Sequence, residues 1–403
     1  MKITAVRTLC LSRMHERERQ WVTARYRTIK ADCAIVVIET DEGLTGVGEA
    51  CAYGWPRTIE SWVSWLAPTL LGHDPRDRAI VPHPDHGTLR PYSCAVAGID
   101  CALWDLRGKL AGKRVAELLT PDPPDRVRVY ASSGCRYDWR ERPEQLIEEA
   151  LAMIAAGFSA YKFRIGTEWA WDGVTTDRFL GLVRELAGAV GGRMELMLDG
   201  NQRLTEEQAL TIAHELDRLG FTWFEEPIPQ TDIDGYARLN RAVDLPITGG
   251  EQFTSLQQFR PYLERGAYGI VQPDAGICGI TECFAIAEMA ARYGVDCCPH
   301  SWHNGLMALA NGHLVAALPN PRVLEVCQLQ GPLQWAILAD PPALADGYLA
   351  LPDAPGLGAI LAPDLETQFP YIEGHYAVEV ERYPRAADEI AGAAVRECRF
   401  GVL

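Results

Sequence analysis

Residues 194–227 read MELMLDGNQRLTEEQALTIAHELDRLGFTWFEEP, and this stretch decides the fold. A short apolar run, 194–198, is followed at once by Asp199-Gly-Asn201. A segment with helical apolar spacing, 205–219, comes next, and then a second run, 221–224, that ends in Glu225-Glu226-Pro227. Thr205-Glu-Glu-Gln208 has the form of a capping box, in which hydroxyl and amide satisfy free backbone N–H groups at a helix start. The unit is therefore strand, helix, strand, with carboxylates placed directly after each strand.

Outward from it, the same unit recurs. Apolar runs at 127–131, 160–165, 194–198, 221–224, 246–248, 269–271, 295–298 and 323–326 predict eight strands. Helical patterns at 143–156, 205–219, 255–264, 281–293 and 305–317 lie between them. Such alternation predicts an α/β fold, a (β/α)8 TIM-type barrel over 126–354. Upstream, 34–38 and 44–50 flank a turn at 41–43, and 57–71 and 94–118 carry helical spacing. Residues 1–125 thus read as an α+β module, with Pro121-Asp-Pro-Pro124 as linker, to which the tail 355–403 is expected to return.

The chain has 403 residues, 48% hydrophobic and 23% charged, which suits a globular protein with a large core. A net charge of −16 argues against nucleic acid and anionic membranes as partners. No run of about 18 uncharged apolar residues predicts a membrane span. The first residues read as a strand rather than a leader, and the 12 cysteines are irregularly spaced with no C-x-x-C pair. Reduced thiols and a cytoplasmic location are expected. Residues 1–30 hold eight basic and two acidic side chains, +6 locally against −22 for the remainder. This segment is either an ordinary solvated surface or a mobile basic loop closing over an anionic ligand.

Barrel chemistry sits where strands end. The second strand ends in Lys162-Phe163-Arg164, the third in Asp199, the fourth in Glu225-Glu226, the fifth in Glu251, the sixth in Asp274 and the seventh in His300; the eighth bears Glu325. From 199 to 225, 225 to 251 and 274 to 300 the interval is 26 residues, from 251 to 274 it is 23 and from 300 to 325 it is 25. One βα unit has that length, so these groups converge on one mouth. Asp199, Glu225 and Glu251 cannot share it unneutralised. A hard divalent cation with oxygen ligands resolves the conflict, with Mg2+ the default and zinc disfavoured. The alternative is an ion pair with a barrel lysine or arginine, Glu226 rather than Glu225 being the expected partner. Lys162 and Arg164 share a strand face and point inward. Asp274 can accept one ring N–H of His300, fixing its tautomer and raising the basicity of the other nitrogen. His303 either reaches the ligand or caps helix 305–317, His313 reads as core, and Asn201 is placed to hold a substrate hydroxyl.

The chain resembles the enolase superfamily, and within it the mandelate racemase subgroup. Gly46-Val-Gly-Glu-Ala50, the helix from Gly98 to Lys109 and Pro355-Gly-Leu-Gly358 look like that family's capping domain. Leu198-Asp-Gly-Asn-Gln202, Phe224-Glu-Glu-Pro227, Gly250-Glu251, Gln272-Pro-Asp274 and Pro299-His-Ser301 match its barrel motifs in order. The resemblance implies a barrel with an N-terminal α+β capping domain completed by the C-terminal tail. It implies Mg2+ on Asp199, Glu225 and Glu251, and removal of the proton α to a substrate carboxylate. His300, tuned by Asp274, becomes acid or base, and Glu325 the acidic group that hydrogen-bonds the carboxylate. Many relatives carry Lys-x-Lys on the second strand; here Arg164 replaces the second lysine. Arginine is a poor base at neutral pH, so two-base racemisation is disfavoured and Arg164 is expected to bind substrate, with Lys162 as substitute base.

The expected activity is dehydration of a sugar acid, an aldonate or aldarate, to a 2-keto-3-deoxy acid. A racemase, epimerase or cycloisomerase is the alternative, and a non-catalytic sugar-acid binder the third reading. The substrate is a small carboxylate, and a homo-oligomer is expected. Specificity is expected from loops 13–30 and 51–57, with Trp21, Arg25, Tyr53 and Trp55 as contacts and a second substrate carboxylate meeting Arg17, Arg19 and Arg25.

Overall fold

The computed structural model describes residues 1–82, 90–329, 331, 333–380 and 397–398. All eight expected barrel strands form: Arg126–Ser132, Ala160–Arg164, Glu195–Asp199, Trp223–Glu225, Ile247–Gly249, Ile270–Val271, Asp296–Cys297 and Leu324–Cys327. The first seven pair in parallel in chain order. The eighth pairs in parallel with the first. Between the seventh and eighth the seam is made by loop backbone, where Cys297 N donates to Asn320 O at 2.8 Å and Arg322 N to Cys297 O at 3.0 Å.

Side chains alternate across each strand. One set, Tyr130, Ala160, Met197, Trp223, Ile270, Cys298 and Val323, forms a separate buried cluster inside the barrel. The other, including Tyr161, Phe163, Leu198 and Phe224, joins the core under the helices. The crossovers are Gln145–Ala155, Thr176–Val190, Glu206–Arg218, Ile233–Ala242, Leu256–Glu264, Ala275–Arg292 and Gly305–Ala317. The capping box forms as expected, with Gln208 N donating to Thr205 Oγ1 at 3.2 Å and Thr205 N to Gln208 Oε1 at 3.0 Å. The helix expected over 281–293 forms beyond a break at Gly279 (φ 83°), and the short turn before that break is capped by the Asp274 carboxylate, which accepts from Gly276 N at 2.8 Å.

The capping domain is an antiparallel sheet of Ile3–Met14, Lys30–Thr40 and Thr45–Ala50, packed on helices Pro56–Leu70 and Arg90–Ala111. The helix expected over 94–118 breaks into Arg90–Ala111 and Val115–Leu119, with Gly112 at φ 63°. Arg90–Ala111 docks onto the barrel: Asp100 accepts from Thr281 N at 2.9 Å and from Thr281 Oγ1 at 2.7 Å. The tail does return. Buried Asp105 accepts from Val47 N at 2.9 Å and from Leu357 N at 2.8 Å, so one carboxylate ties sheet and tail together.

Residues 13–30, read as a possible mobile loop, instead end the first strand and form a hairpin of Trp21–Thr23 and Tyr26–Thr28, turning at Ala24 (φ 45°). Its backbone is engaged on two sides. Ala377–Val380 of the tail pairs with Tyr26–Thr28, and Val22 N donates to Cys135 O of the barrel at 3.2 Å. The tail residues 381–396 and 399–403 lie outside the described residues. Among the described residues no helix is long and apolar enough to cross a membrane.

Candidate active site

Register places the polar groups. Arg164 lies opposite Asp199, Asp199 opposite Glu225, and Glu225 opposite Thr248. Partners across a ladder share a face, so this row enters the barrel mouth together. Lys162 belongs to the row beneath, opposite Met197, and is fully buried. Its ammonium contacts Glu225 and lies 3.1 Å from Glu325 Oε1. Glu225 Oε2 accepts from Gln272 Nε2 at 2.6 Å and Trp223 Nε1 at 3.1 Å. The lysine's partner is thus Glu225, not Glu226 as expected. The strand ends at Glu225, and Glu226, at φ 36°, swings away so that its carboxylate accepts from Gln202 Nε2 at 2.8 Å.

Arg164 Nε lies 3.2 Å from Asp199 Oδ2, its NH1 donates to Ser133 O at 3.2 Å, and its guanidinium stacks 3.9 Å above the Trp302 ring. Asn201 donates to Asp199 through its backbone at 2.7 Å and its amide at 2.9 Å, leaving Oδ1 buried without a partner. Burial raises the Asp199 carboxyl, with Glu251 adding to it against Arg164 and Lys162. Burial likewise pushes Glu225 up to about 7 against Lys162, with Asp199, Glu251 and Glu325 adding to the rise. Glu325 moves the other way, to about 2: Lys162, His300 and the Ser132 and Ser301 hydrogen bonds outweigh burial.

His300 Nδ1 meets Asp274 Oδ2 at 2.5 Å, and its Nε2 lies 3.6 Å from Glu251 Oε2. His303 also converges on Asp274, its Nε2 3.3 Å from the same oxygen, and packs 4.7 Å from the Tyr53 ring. It does not cap the following helix, whose N-cap is Asn304. Against burial, the Glu251, Glu325 and Asp274 carboxylates raise His300 to about 10.

Asp274, His300 and His303 bring ligand atoms within 4.8 Å of one another. Of the two rings, only that of His300 is hydrogen-bonded to the shared Asp274 oxygen, and the buried His303 Nε2 has no hydrogen-bond partner. Asp199, Glu225 and Glu251 are not gathered that closely among the described residues, since Arg164 and Lys162 hold the first two. Their chemistry nonetheless suits a divalent cation. All three offer hard oxygen atoms, and the mouth holds Asp199, Glu225, Glu251, Glu325 and Asp274 against Lys162, Arg164 and the raised His300.

The mouth opens into a cavity of about 200 Å³ that Arg164, Asn201, Glu251, His300, Trp302 and His303 line from the barrel. Asp199, Glu225, Lys162, Asp274 and Glu325 stand behind this lining. The cap contributes Trp21 and Tyr53, as expected, and also Lys30 and Asp32. Arg25 and Trp55 do not line it. Arg25, at the hairpin turn, sits 4.0 Å from Glu168, and Arg19, in the short helical turn Arg17–Arg19 before the hairpin, lies 3.8 Å from Glu16; both are more than half exposed. Lys30 was expected only as one of the basic residues of loop 13–30 and Asp32 was not singled out, although two charges two apart at the head of the apolar strand Lys30–Thr40 are a signal. The spacing of His303 from His300, one helical turn, was another.

Comparison with known proteins follows the same architecture. The family described as enolase C-terminal domain-like matches residues 145–365, and the mandelate racemase / muconate lactonizing enzyme N-terminal domain matches residues 7–120. The chain is 33% identical to D-galactarolactone cycloisomerase of Agrobacterium fabrum over 387 residues, covering 92% of this chain and 99% of that protein. It is 34% identical to D-galactonate dehydratase of Ralstonia nicotianae over 335 residues, covering 80% and 86%. The crystal structure of 3,6-anhydro-D-galactonate cycloisomerase from Zobellia galactanivorans superposes with a TM-score of 0.80 at 29% identity, covering 92% of this chain and 99% of that one.

Proposed function

Since the chain belongs to the enolase superfamily, with a mandelate racemase / muconate lactonizing enzyme N-terminal domain, we propose that it dehydrates a sugar acid to a 2-keto-3-deoxy acid. The observation that carries this reading is the meeting, at one mouth, of Asp199, Glu225 and Glu251 with the His300–Asp274 pair. The three carboxylates would hold Mg2+, which when bound offsets negative charge on the substrate carboxylate as the α-proton leaves. In this reaction the α C–H bond breaks and its electron pair forms a C=C bond. That bond lies first between C1 and C2; its pair moves to C2–C3 as the C3–O bond breaks and the hydroxyl departs as water with an added proton, and the resulting enol loses its O–H proton and gains one at C3 to become a ketone.

His300 is the residue placed to move those protons. Its Nδ1 is engaged by Asp274, so Nε2 is the atom that accepts or donates at the cavity. Arg164, clamped by Asp199, the Ser133 carbonyl and Trp302, holds an anionic or hydroxylated substrate group and takes no proton. This leaves acid–base chemistry on one face and supports elimination over two-base racemisation. Lys162 and Glu325 form the floor of the site, and Asn201 offers its free oxygen to a substrate hydroxyl. The eleven buried, unbridged cysteines among the described residues support a reducing compartment, hence the cytoplasm.

Cycloisomerisation is the second reading, favoured by the near-complete coverage of two cycloisomerases. Acid sugars incubated with Mg2+ in D2O separate the two. A dehydratase yields a 2-keto product that semicarbazide traps, while an isomerase returns deuterated acid with no new carbonyl. His300→Asn is expected to lower product formation by about 10²–10⁴-fold while leaving metal binding intact; unchanged turnover removes the assignment.

A further inference from the structure

Two cavity oxygens have no partner, and both accept. Asp32 is 1% exposed at its side chain; its Oδ1 takes the Ser12 hydroxyl at 2.6 Å and lies 3.1 Å from Lys30 Nζ, while its Oδ2 is buried with no hydrogen bond. Asn201 Oδ1, across the cavity on the barrel side, is in the same state. Lys30 is not a free cation. Its ammonium is closed off by Asp32, by a 2.5 Å bond to Ile372 O and by the Tyr371 ring at 5.2 Å.

An unsatisfied buried acceptor is costly, and what relieves it is a donor. A hydroxyl donates; an ionised carboxylate has acceptors only, and here it would also meet the Asp32 charge. The arginines that a second substrate carboxylate was expected to meet face outward, Arg25 toward Glu168 and Arg19 toward Glu16. The unpartnered Asp32 oxygen on the cap side therefore calls for a donor such as a hydroxyl.

We propose that Asp32, held by Lys30, reads the hydroxylated far end of the substrate while Asn201 takes a hydroxyl near the reacting carboxylate, so that this protein selects monocarboxylic polyhydroxy acids over the dicarboxylic acids of the same configuration. The inference deepens the proposed function and rests on its placing the reacting carboxylate at the barrel end.

Binding separates the two claims. Calorimetric titration in Mg2+ of an aldonate and the aldarate of matching configuration is expected to show the aldonate at least about tenfold tighter. Asp32→Asn, which removes the acceptor charge and leaves Lys30 uncompensated, is expected to cut that preference about tenfold, with circular dichroism confirming the fold. A wild-type protein that binds the diacid as tightly overturns the inference without need of any variant, and so does a folded Asp32→Asn with an unchanged ratio. Selective binding of the aldonate with neither keto product nor α-proton exchange upholds the inference and overturns the dehydration reading. No binding of either acid in the millimolar range overturns both.

Discussion

The barrel rim and the cap solve opposite problems with the same residue types. At the rim, buried carboxylates outnumber their cations, and the excess charge is what makes the mouth fit for a metal and for proton transfer. In the cap, Glu49 and Asp100 are held by hydrogen bonds from Asn304, Met307 and Thr281, and two further buried carboxylates each face a lysine. Asp32 faces Lys30, and Asp105 faces Lys109 and two backbone N–H groups. Surplus charge marks where chemistry is done, and balanced charge marks where shape is kept and the ligand's far end is read.

The sharpest way to break this contrast is at the rim. Asp199→Asn removes one of the surplus carboxylates and the partner of Arg164; kcat is expected to fall by about 10²–10³-fold. Mg2+-dependent thermal stabilisation should disappear with it. Retention of both, measured by keto-product formation and melting curves, would mean that the rim charge is structural.

Between the regions stands His313, fully buried, with its Nδ1 accepting from Ala116 N at 3.4 Å and its Nε2 donating to Leu357 O at 3.2 Å. Burial lowers it to about 4. The folded state therefore binds fewer protons than the unfolded chain below the ordinary histidine value. Its stabilising contribution is present above about pH 6.5 and is lost as pH falls toward 4, by up to about 3 kcal/mol. Urea denaturation across that window checks the slope, which His313→Gln should flatten.

In the cap, Gly356 sits at φ 79°, and an added Cβ would lie 2.1 Å from Asp105 Oδ1. Gly356→Ala should cost about 1–3 kcal/mol in denaturant titration and leave kcat per folded molecule unchanged. A selective loss of kcat would join the tail clamp to the chemistry. The smallest effect is expected at the hairpin's outer face. Arg17, Arg19 and Arg25 changed together to alanine should move KM less than about twofold for mono- and diacids alike, since exposed charges contribute little. A diacid-specific rise in KM would return the basic segment to the site.

Much of this was legible in one dimension. Strand and helix alternate with a fixed period, and a carboxylate or histidine recurs at the same point of each unit, so the barrel and its converging mouth follow from local pattern. Two crossover helices, Thr176–Val190 and Ile233–Ala242, escaped that reading, and their existence came from the fold. What chain order alone determined was the set of groups at the rim: Asp199, Glu225 and Glu325 lie in strands of the same sheet, and Glu251, Asp274 and His300 follow one within three residues. Only the tertiary structure decided who pairs with whom. Lys162 chose Glu225 because Glu226 leaves the ladder, and Arg25 at the hairpin turn faces Glu168 because the hairpin backbone is held by the tail and the barrel. Lys30 and Asp32 entered the site from more than 130 positions away by the packing of one domain on another. Pairing depends on distances between segments remote in sequence, and no local period encodes those.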